Sequence, residues 1–328
     1  MRLARAAAVL AGTALLASCS SATSSAPPNQ SPPSINVSVA PLEPALHVTD
    51  PHGQEITLPA APERIVCLTG LCDDALAELG VKPAGTSSPT LLTHPALLGA
   101  AGAGVAVVPG TFGSEDVEAV AGMRPDLVIG LEGVHDALRP AITRFAPLWT
   151  VGPKDWQESV GYLRALGALT GRTQQAADAE RRFRQKLADA VRTSRERGLR
   201  DRTVLVMYGS ADSISVDTAD SLTGRLLGEL FGYPWPARGT DADTASTYSV
   251  EEILAKQPDV VFVYSLLFSP TDKKLSEQLA DNPVWGQVKA VQHGNVHETH
   301  AKLWGAGRGT RSLGAIVDEA LDKVAAAR

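Results

Sequence analysis

The sequence predicts an α/β protein of two lobes, each built on a parallel sheet, joined by a long rigid helical connector and enclosing a ligand cleft between them. Three observations carry this reading. First, "DVEAVAGMRPDLVIG" at 116–130 returns as "SVEEILAKQPDVVFV" at 249–263. Each copy opens on an N-cap type of residue, Asp116 or Ser249, carries Glu118 or Glu251 two positions on, and reaches Pro125-Asp126 or Pro258-Asp259 before an apolar run. That is a helix, a proline stop and a strand, twice. Second, the strand-like runs "RIVCL", "PDLVIG", "TVLVMYG" and "PDVVFVYS" are apolar without alternation, as in parallel strands covered on both faces. Third, residues 154–198 show no strand pattern and place Phe183, Leu187, Ala190 and Val191 at helical spacing.

Taken in order, "MRLARAAAVLAGTALLASC" has a basic start at Arg2 and Arg5, an apolar run from Ala6 to Ala17 and small residues before Cys19. This is the layout of an export signal, and the run is too short to span a bilayer. "LASC" at 16–19 resembles the bacterial lipobox, so residues 1–18 read as a lipoprotein signal peptide and Cys19 as the lipidated first residue of the mature chain. Two acyl chains on that Cys suffice to hold a protein on a membrane surface. Residues 19–45, rich in Ser and Pro and nearly uncharged, read as a disordered tether that cannot bury enough apolar surface to fold.

The N-terminal lobe is expected over 46–153. It opens on a hairpin around "DPHGQ", enters the strand "RIVCL", and continues with the helix "DDALAELGV", ended at Gly80. "KPAGT" leads a short strand, the first repeat follows, and "DALRPAITRFAPLWTVGP" gives another helix and strand. The connector occupies 154–200, with Gly167 and Gly171 dividing a shorter helix from a longer one. The C-terminal lobe, 201–328, restarts with strand "TVLVMYG" and helix "SLTGRLLGELFG". The second repeat, helix "LSEQLADNPVWGQV", strand "NVHET" and a last helix over Thr310–Ala326 complete it.

At 328 residues and 44% apolar the chain can fill two cores, and with 5% aromatic residues those cores are mainly aliphatic. A net charge of −6 argues against a nucleic-acid partner, which requires a basic face. Besides Cys19, the two cysteines Cys67 and Cys72 sit in "CLTGLC". In an exported protein they read as a disulfide or as two buried thiols.

The lipobox, the tether, "VTDPHGQEITLPAAPERIV", "PDLVIG", the helical connector and "PDVVFV" together resemble the substrate-binding lipoproteins of iron–siderophore, heme and cobalamin ABC importers. The resemblance runs from Cys19 to the end of the chain. It implies two Rossmann-like lobes, a rigid connecting helix that permits only small closing movements, and a binding protein without catalysis. It further implies a monomer on the outer face of the cytoplasmic membrane that delivers cargo to a dimeric ABC permease. In that family an acidic residue of each lobe docks on permease arginines, and the matching positions are Glu118 and Glu251. A Glu in a first helical turn also offsets the helix dipole by about 0.3–1 kcal/mol.

Ligands of open α/β sheets sit off the carboxyl ends of strands. The candidates there are Thr69, Cys72, Thr111, Phe112, Glu132 and His135 in the first lobe, and Tyr208, Arg225, Tyr248, Tyr264, Trp304 and Arg308 in the second. Arg would meet the charge of a ferric siderophore and the aromatic residues its organic shell. Heme is the alternative cargo, with His135 opposed by Tyr208, Tyr248, Tyr264 or His300 as axial ligands. His293, His297 and His300 in "HGNVHETH" lack a companion Asp or Cys and do not read as a metal site, and no intrinsic cofactor is expected. "GAAGAGVAVVPG" has the wrong spacing for a dinucleotide loop, no phosphate-binding loop is present, and "YGSADS" lacks the second Gly of a nucleophile elbow. An exported hydrolase is the remote alternative.

Overall fold

The computed structural model describes residues 34–238, 244–267 and 271–327. Cys19 and the export signal lie outside the described residues. The main compact unit starts at Ile35, earlier than the expected Leu46, and this is a correction to the tether boundary. Two arginines of the connector hold the extra segment. Arg164 donates to the carbonyls of Ala40 and Pro41 at 3.1 and 3.0 Å, and Arg184 donates to that of Asn36 at 3.0 Å.

In the N-terminal lobe, β1 (His47–Thr49) and β2 (Glu55–Thr57) form the expected hairpin. The unbroken apolar run gives β3 (Ile65–Cys67), wholly buried, and leads into α1 (Gly70–Leu79). Gly80 closes that helix at φ 68°, in the left-handed region where Gly carries no steric penalty. Then follow β4 (Gly85–Thr86), α2 (Pro89–Leu92), the small hairpin β5 (Gly110–Thr111) and β6 (Ser114–Glu115), α3 (Val117–Gly122), β7 (Leu127–Leu131), α4 (Arg139–Ile142) and β8 (Leu148–Val151). The sheet order is β4-β3-β7-β8, all parallel.

The connector is α5 (Trp156–Leu169) and α6 (Thr173–Glu196). Only Gly171, at φ 66°, breaks the helix. Gly167 lies inside α5, where a Cβ would stand 2.4 Å from that of Ala176, so its role is close helix approach rather than termination. At 1.5 Å per residue α6 is about 36 Å long, enough to span both lobes.

The C-terminal lobe runs β9 (Val204–Ser210), β10 (Ser213–Asp217), α7 (Leu222–Gly228), β11 (Ala245–Thr247), α8 (Val250–Lys256), β12 (Val260–Val263), α9 (Leu275–Gln278), α10 (Lys289–Gln292), β13 (Val296–Glu298), α11 (Ala301–Ala306) and α12 (Thr310–Ala326). Its sheet order is β11-β10-β9-β12-β13. Only β9, β12 and β13 are parallel; β10 and β11 fold back antiparallel, which corrects the expectation of a purely parallel sheet. The alternation in "SISVD" is the cause, since Ile214 and Val216 are buried while Ser213 and Ser215 are not. The helix expected over "LSEQLADNPVWGQV" shrinks to α9, with Asn282 accepting from the amides of Val284 and Trp285 to start a separate turn.

The repeat has a common structural job in both lobes. Arg124 (φ 50°) and Gln257 (φ 45°) take the left-handed conformation just before each Pro, because the proline ring disfavours the right-handed helical region for its predecessor. The following Asp then fixes the start of the neighbouring strand. Asp126 accepts from the amides of Glu63 and Arg64 at 2.7 and 3.0 Å, and Asp259 from that of Thr203 at 2.8 Å. The strand registers that result, Ile65 opposite Leu127 and Val204 opposite Val260, are equivalent.

The lobes share a core in which Leu91 and Leu92 of the first pack with Phe183 and Leu187 of α6 and with Phe262, Leu313 and Ile316 of the second. A buried carboxylate ties them as well. Helix α12 has Gly309 at its N-cap and no cap of its own. Asp74 of α1 supplies one, accepting from the amides of Arg311 (3.0 Å) and Ser312 (2.7 Å) and from the Ser312 hydroxyl (2.6 Å). Gly309 is required there, since a Cβ would lie 2.3 Å from the Asp74 carboxyl. The adjoining Asp73, equally buried, accepts from the Thr86 hydroxyl at 2.8 Å.

Candidate functional site

The carboxyl ends of β9 and β12 bring two tyrosines together. Adjacent parallel strands in register place Tyr208 and Tyr264 face to face, with ring centroids 4.6 Å apart and planes 17° apart. The hairpin partner β10 ends beside them on Asp217, which is buried and accepts from the Tyr264 hydroxyl at 3.4 Å. The Tyr233 hydroxyl donates to the Asp217 carbonyl at 2.8 Å. Arg308, partly exposed in the turn between α11 and α12, acts on the same group. It donates to the Gly305 carbonyl at 3.3 Å and forms no ion pair among the described residues. Burial pushes the Asp217 carboxyl up to about 7, while the Arg308 charge and the Tyr264 hydroxyl pull it the other way. Burial, and then the charge of Asp217, push the Tyr264 phenol far above its ordinary value and raise Tyr208 too. Both rings therefore act as neutral hydrogen-bonding phenols. A cavity of about 700 Å³ opens off the same strand ends, lined by Gly209, Ser213, Ser215, Leu266 and Lys273 among others, a size suited to a small-molecule ligand. A second cavity of about 520 Å³, between β1 and α5, lies on the flank of the first lobe.

In the first lobe, Thr69 is the buried N-cap residue of α1, and Cys67 and Cys72 are joined as a disulfide with Cα atoms 5.4 Å apart. Thr111 and Phe112 form the tip of the β5–β6 hairpin. Phe112 is 69% exposed, unusual for an aromatic ring with no burial to gain, and stands edge-on to His135 at 5.6 Å. Glu132 follows β7, partly exposed, with its carboxylate against Gly152.

Four expected contacts lie elsewhere. His135 is fully buried; its Nδ1 accepts from the Leu131 amide at 2.8 Å, so its Nε2 carries the proton and donates to Glu115 at 3.1 Å. Neither nitrogen is open to iron, and the ring serves to support Phe112. Trp304 is a packing residue, stacked on Phe262 at 4.8 Å and donating Nε1 to Glu319 at 2.8 Å. Tyr248 is buried against Trp235 with its hydroxyl donating to the Pro236 carbonyl at 2.9 Å, and Arg238 covers its ring. Arg225 is exposed on α7 and bonded to Asp220. Conversely, sequence reasoning passed over Asp217, whose signal was the apolar alternation of β10. Among the described residues no cluster of three or more His, Cys, Asp or Glu could hold a metal ion. No described helix is long and apolar enough to cross a membrane.

Glu118 and Glu251 occupy equivalent exposed positions, second in α3 and α8. Capping does not need them. Asp116 accepts from the amides of Glu118 and Ala119, and Ser249 with Glu252 forms a capping box. Neither Glu118 nor Glu251 makes an ion pair among the described residues, whereas Glu252 binds Arg238 at 2.7 Å.

The sequence profile of the family described as periplasmic binding protein matches residues 65–303. The chain belongs to that family. Among relatives of this periplasmic binding protein, the probable siderophore-binding lipoprotein YfiY of Bacillus subtilis is 26% identical over 290 residues, covering 81% of this chain and 84% of the relative. The Fe(3+) dicitrate-binding periplasmic protein FecB of Escherichia coli is 24% identical over 281 residues, covering 81% and 85%. In fold, the petrobactin-binding protein YclQ of Bacillus subtilis is similar at a TM-score of 0.71, with 21% identity, 85% of this chain and 98% of that chain covered.

Proposed function

We propose that this periplasmic binding protein is a lipoprotein, anchored through Cys19 to the outer face of the cytoplasmic membrane, that captures a ferric siderophore and delivers it to an ABC permease. The observation that carries the reading is the stacked pair Tyr208–Tyr264 beside Arg308, whose guanidinium forms no ion pair among the described residues. Phenol hydroxyls and an unpaired guanidinium suit the oxygen atoms around a chelated ferric ion, and the exposed Phe112 offers its ring to the organic shell. Relatives named for siderophore and ferric citrate binding support the same cargo class. Heme is the weaker reading because the ring nitrogens of His135 are both engaged. Glu118 and Glu251 are the docking points, one for each permease subunit, and their matched exposure without ion pairs among the described residues supports this role.

Tryptophan fluorescence titration with ferric hydroxamates, catecholates, citrate, heme and cobalamin tests the proposal. At least one ferric siderophore should bind stoichiometrically, below ~100 μM and without turnover. Binding of heme or cobalamin alone would overturn the cargo assignment.

A further inference from the structure

The charged groups around the strand ends are unevenly matched to an anionic ligand. Arg308 is the cation beside the stacked tyrosines, and Asp217 of the same cluster opposes it. The adjoining cavity carries Lys273 next to Asp272, again one charge of each sign. In the first lobe the candidate charge is Glu132, which is negative. Arg139, close by, is already held by Asp50 at 2.9 Å and Asp136 at 3.1 Å, and Arg225 is bonded to Asp220. A ferric tricatecholate carries three net negative charges, since six phenolate oxygens surround a trivalent ion. A ferric trihydroxamate is neutral, since each hydroxamate brings one charge. Transferring an anion into a partly desolvated site without compensating cations is costly.

Resting on the reading of this site as the cargo site, we propose that Asp217 sets the charge class of the cargo, so that the protein selects ferric chelates without net negative charge, of the trihydroxamate type, over tricatecholates. Asp217 acts at short range through the groups that face it. These are Tyr208 from β9, Tyr264 from the end of β12, Tyr233 from the segment after α7, and Arg308 from the turn before α12. With Asp217 ionised the Arg308 charge is cancelled, and the wall offers phenol hydroxyls and ring faces. With Asp217 neutral the wall becomes cationic. The carboxyl titrates near pH 7, so the selection weakens in mild acid.

The test is a competition titration at pH 8 with a neutral hexadentate ferric trihydroxamate and a hexadentate ferric tricatecholate. The trihydroxamate should bind at least tenfold more tightly. Asp217→Asn should tighten tricatecholate binding by about tenfold at pH 8, the cost of protonating a carboxyl pushed up to about 7 when the anion binds. The ratio of tricatecholate to trihydroxamate affinity should rise by the same factor, whatever change the substitution makes to both in common. Lowering the pH to 6 should reproduce the effect in the unaltered protein and do nothing further in Asp217→Asn, which keeps the test valid if the variant folds poorly. Tighter tricatecholate binding at pH 8, or a preference ratio indifferent to both pH and the substitution, would overturn the inference while leaving siderophore capture intact. Binding of neither chelate would overturn the cargo-site reading and the inference with it.

Discussion

Asp74→Ala should destabilise the protein by an amount that depends on pH in a definite direction. The substitution strips α12 of a cap supplied from the other lobe, leaving the Arg311 and Ser312 amides and the Ser312 hydroxyl without their acceptor. Loss of a cap costs about 1 kcal/mol, and stranded buried donors add about 1–3 kcal/mol. Against this stands the cost of keeping a charge in the interior. Burial pushes the Asp74 carboxyl up to about 6, while its bonds to Ser312 and Arg311 pull it down. A carboxyl raised in the folded state contributes stability that is fully present below its unfolded pKa and is lost as pH rises through the folded value. With an unfolded value of 3.8, the contribution is about 1.4 kcal/mol larger at pH 5 than at pH 7.5. The penalty of Asp74→Ala is therefore about 3–4 kcal/mol at pH 5 and about 2 kcal/mol at pH 7.5. Urea unfolding followed by circular dichroism at pH 5, 6 and 7.5 measures the difference, and repeating it in an Asp73→Asn background removes titration of the neighbouring buried carboxyl. A penalty that is constant, or that grows toward neutral pH, would refute the balance of burial against capping argued for this residue.

Charge reversal at both Glu118 and Glu251 should abolish uptake of an iron-labelled chelate by cells while its affinity for the purified protein stays within twofold; a parallel fall in affinity would place these residues in cargo binding instead. Reducing the Cys67–Cys72 disulfide, which closes a loop of sequence separation 5, should lower stability by about 2 kcal/mol on the chain-entropy account. Thiol counting on unfolded protein should find neither Cys free without reductant, and two free thiols would remove the bridge from the argument.

What could be read in the sequence was what depends on local pattern. Continuous apolar runs located β3, β7, β9 and β12, and the expected last helix coincides with α12, Thr310–Ala326. The strand-end rule pointed to Tyr208 and Tyr264, which the fold stacks together. What failed depended on distant partners. Residues from Ile35 to Ala45 look like tether in composition, yet their carbonyls meet Arg164 and Arg184, and nothing local announces that contact. Gly167 looks like a helix divider from the sequence, whereas the reason for it is the neighbouring helix at Ala176. Aromatic side chains were the hardest to sort. Tyr264 and Tyr248 both lie at element junctions and both are buried, but Tyr264 stacks on a partly exposed ring while Tyr248 is sealed under Arg238.

The repeat and the site follow opposite rules, and the sheet topology explains why. The outer features of the repeat are alike in both lobes: a capped helix with an exposed Glu second in its first turn, a left-handed residue before Pro, and an Asp that fixes the next strand. A symmetric partner can read those features equally from either lobe. The inner walls differ because β9 is flanked by the antiparallel strands β10 and β11, whereas its counterpart β3 is flanked by the short parallel strand β4. Pairing of Ser215 with Tyr208 and of Val216 with Met207 carries Asp217 to the foot of the tyrosine pair. The wall of the first lobe, with the short parallel strand β4 at that edge, is finished by the β5–β6 hairpin that lifts Phe112 over His135. The proposed docking points thus recur at the duplicated helix starts, while Asp217, proposed to set the cargo charge, lies on an antiparallel strand that the other lobe lacks.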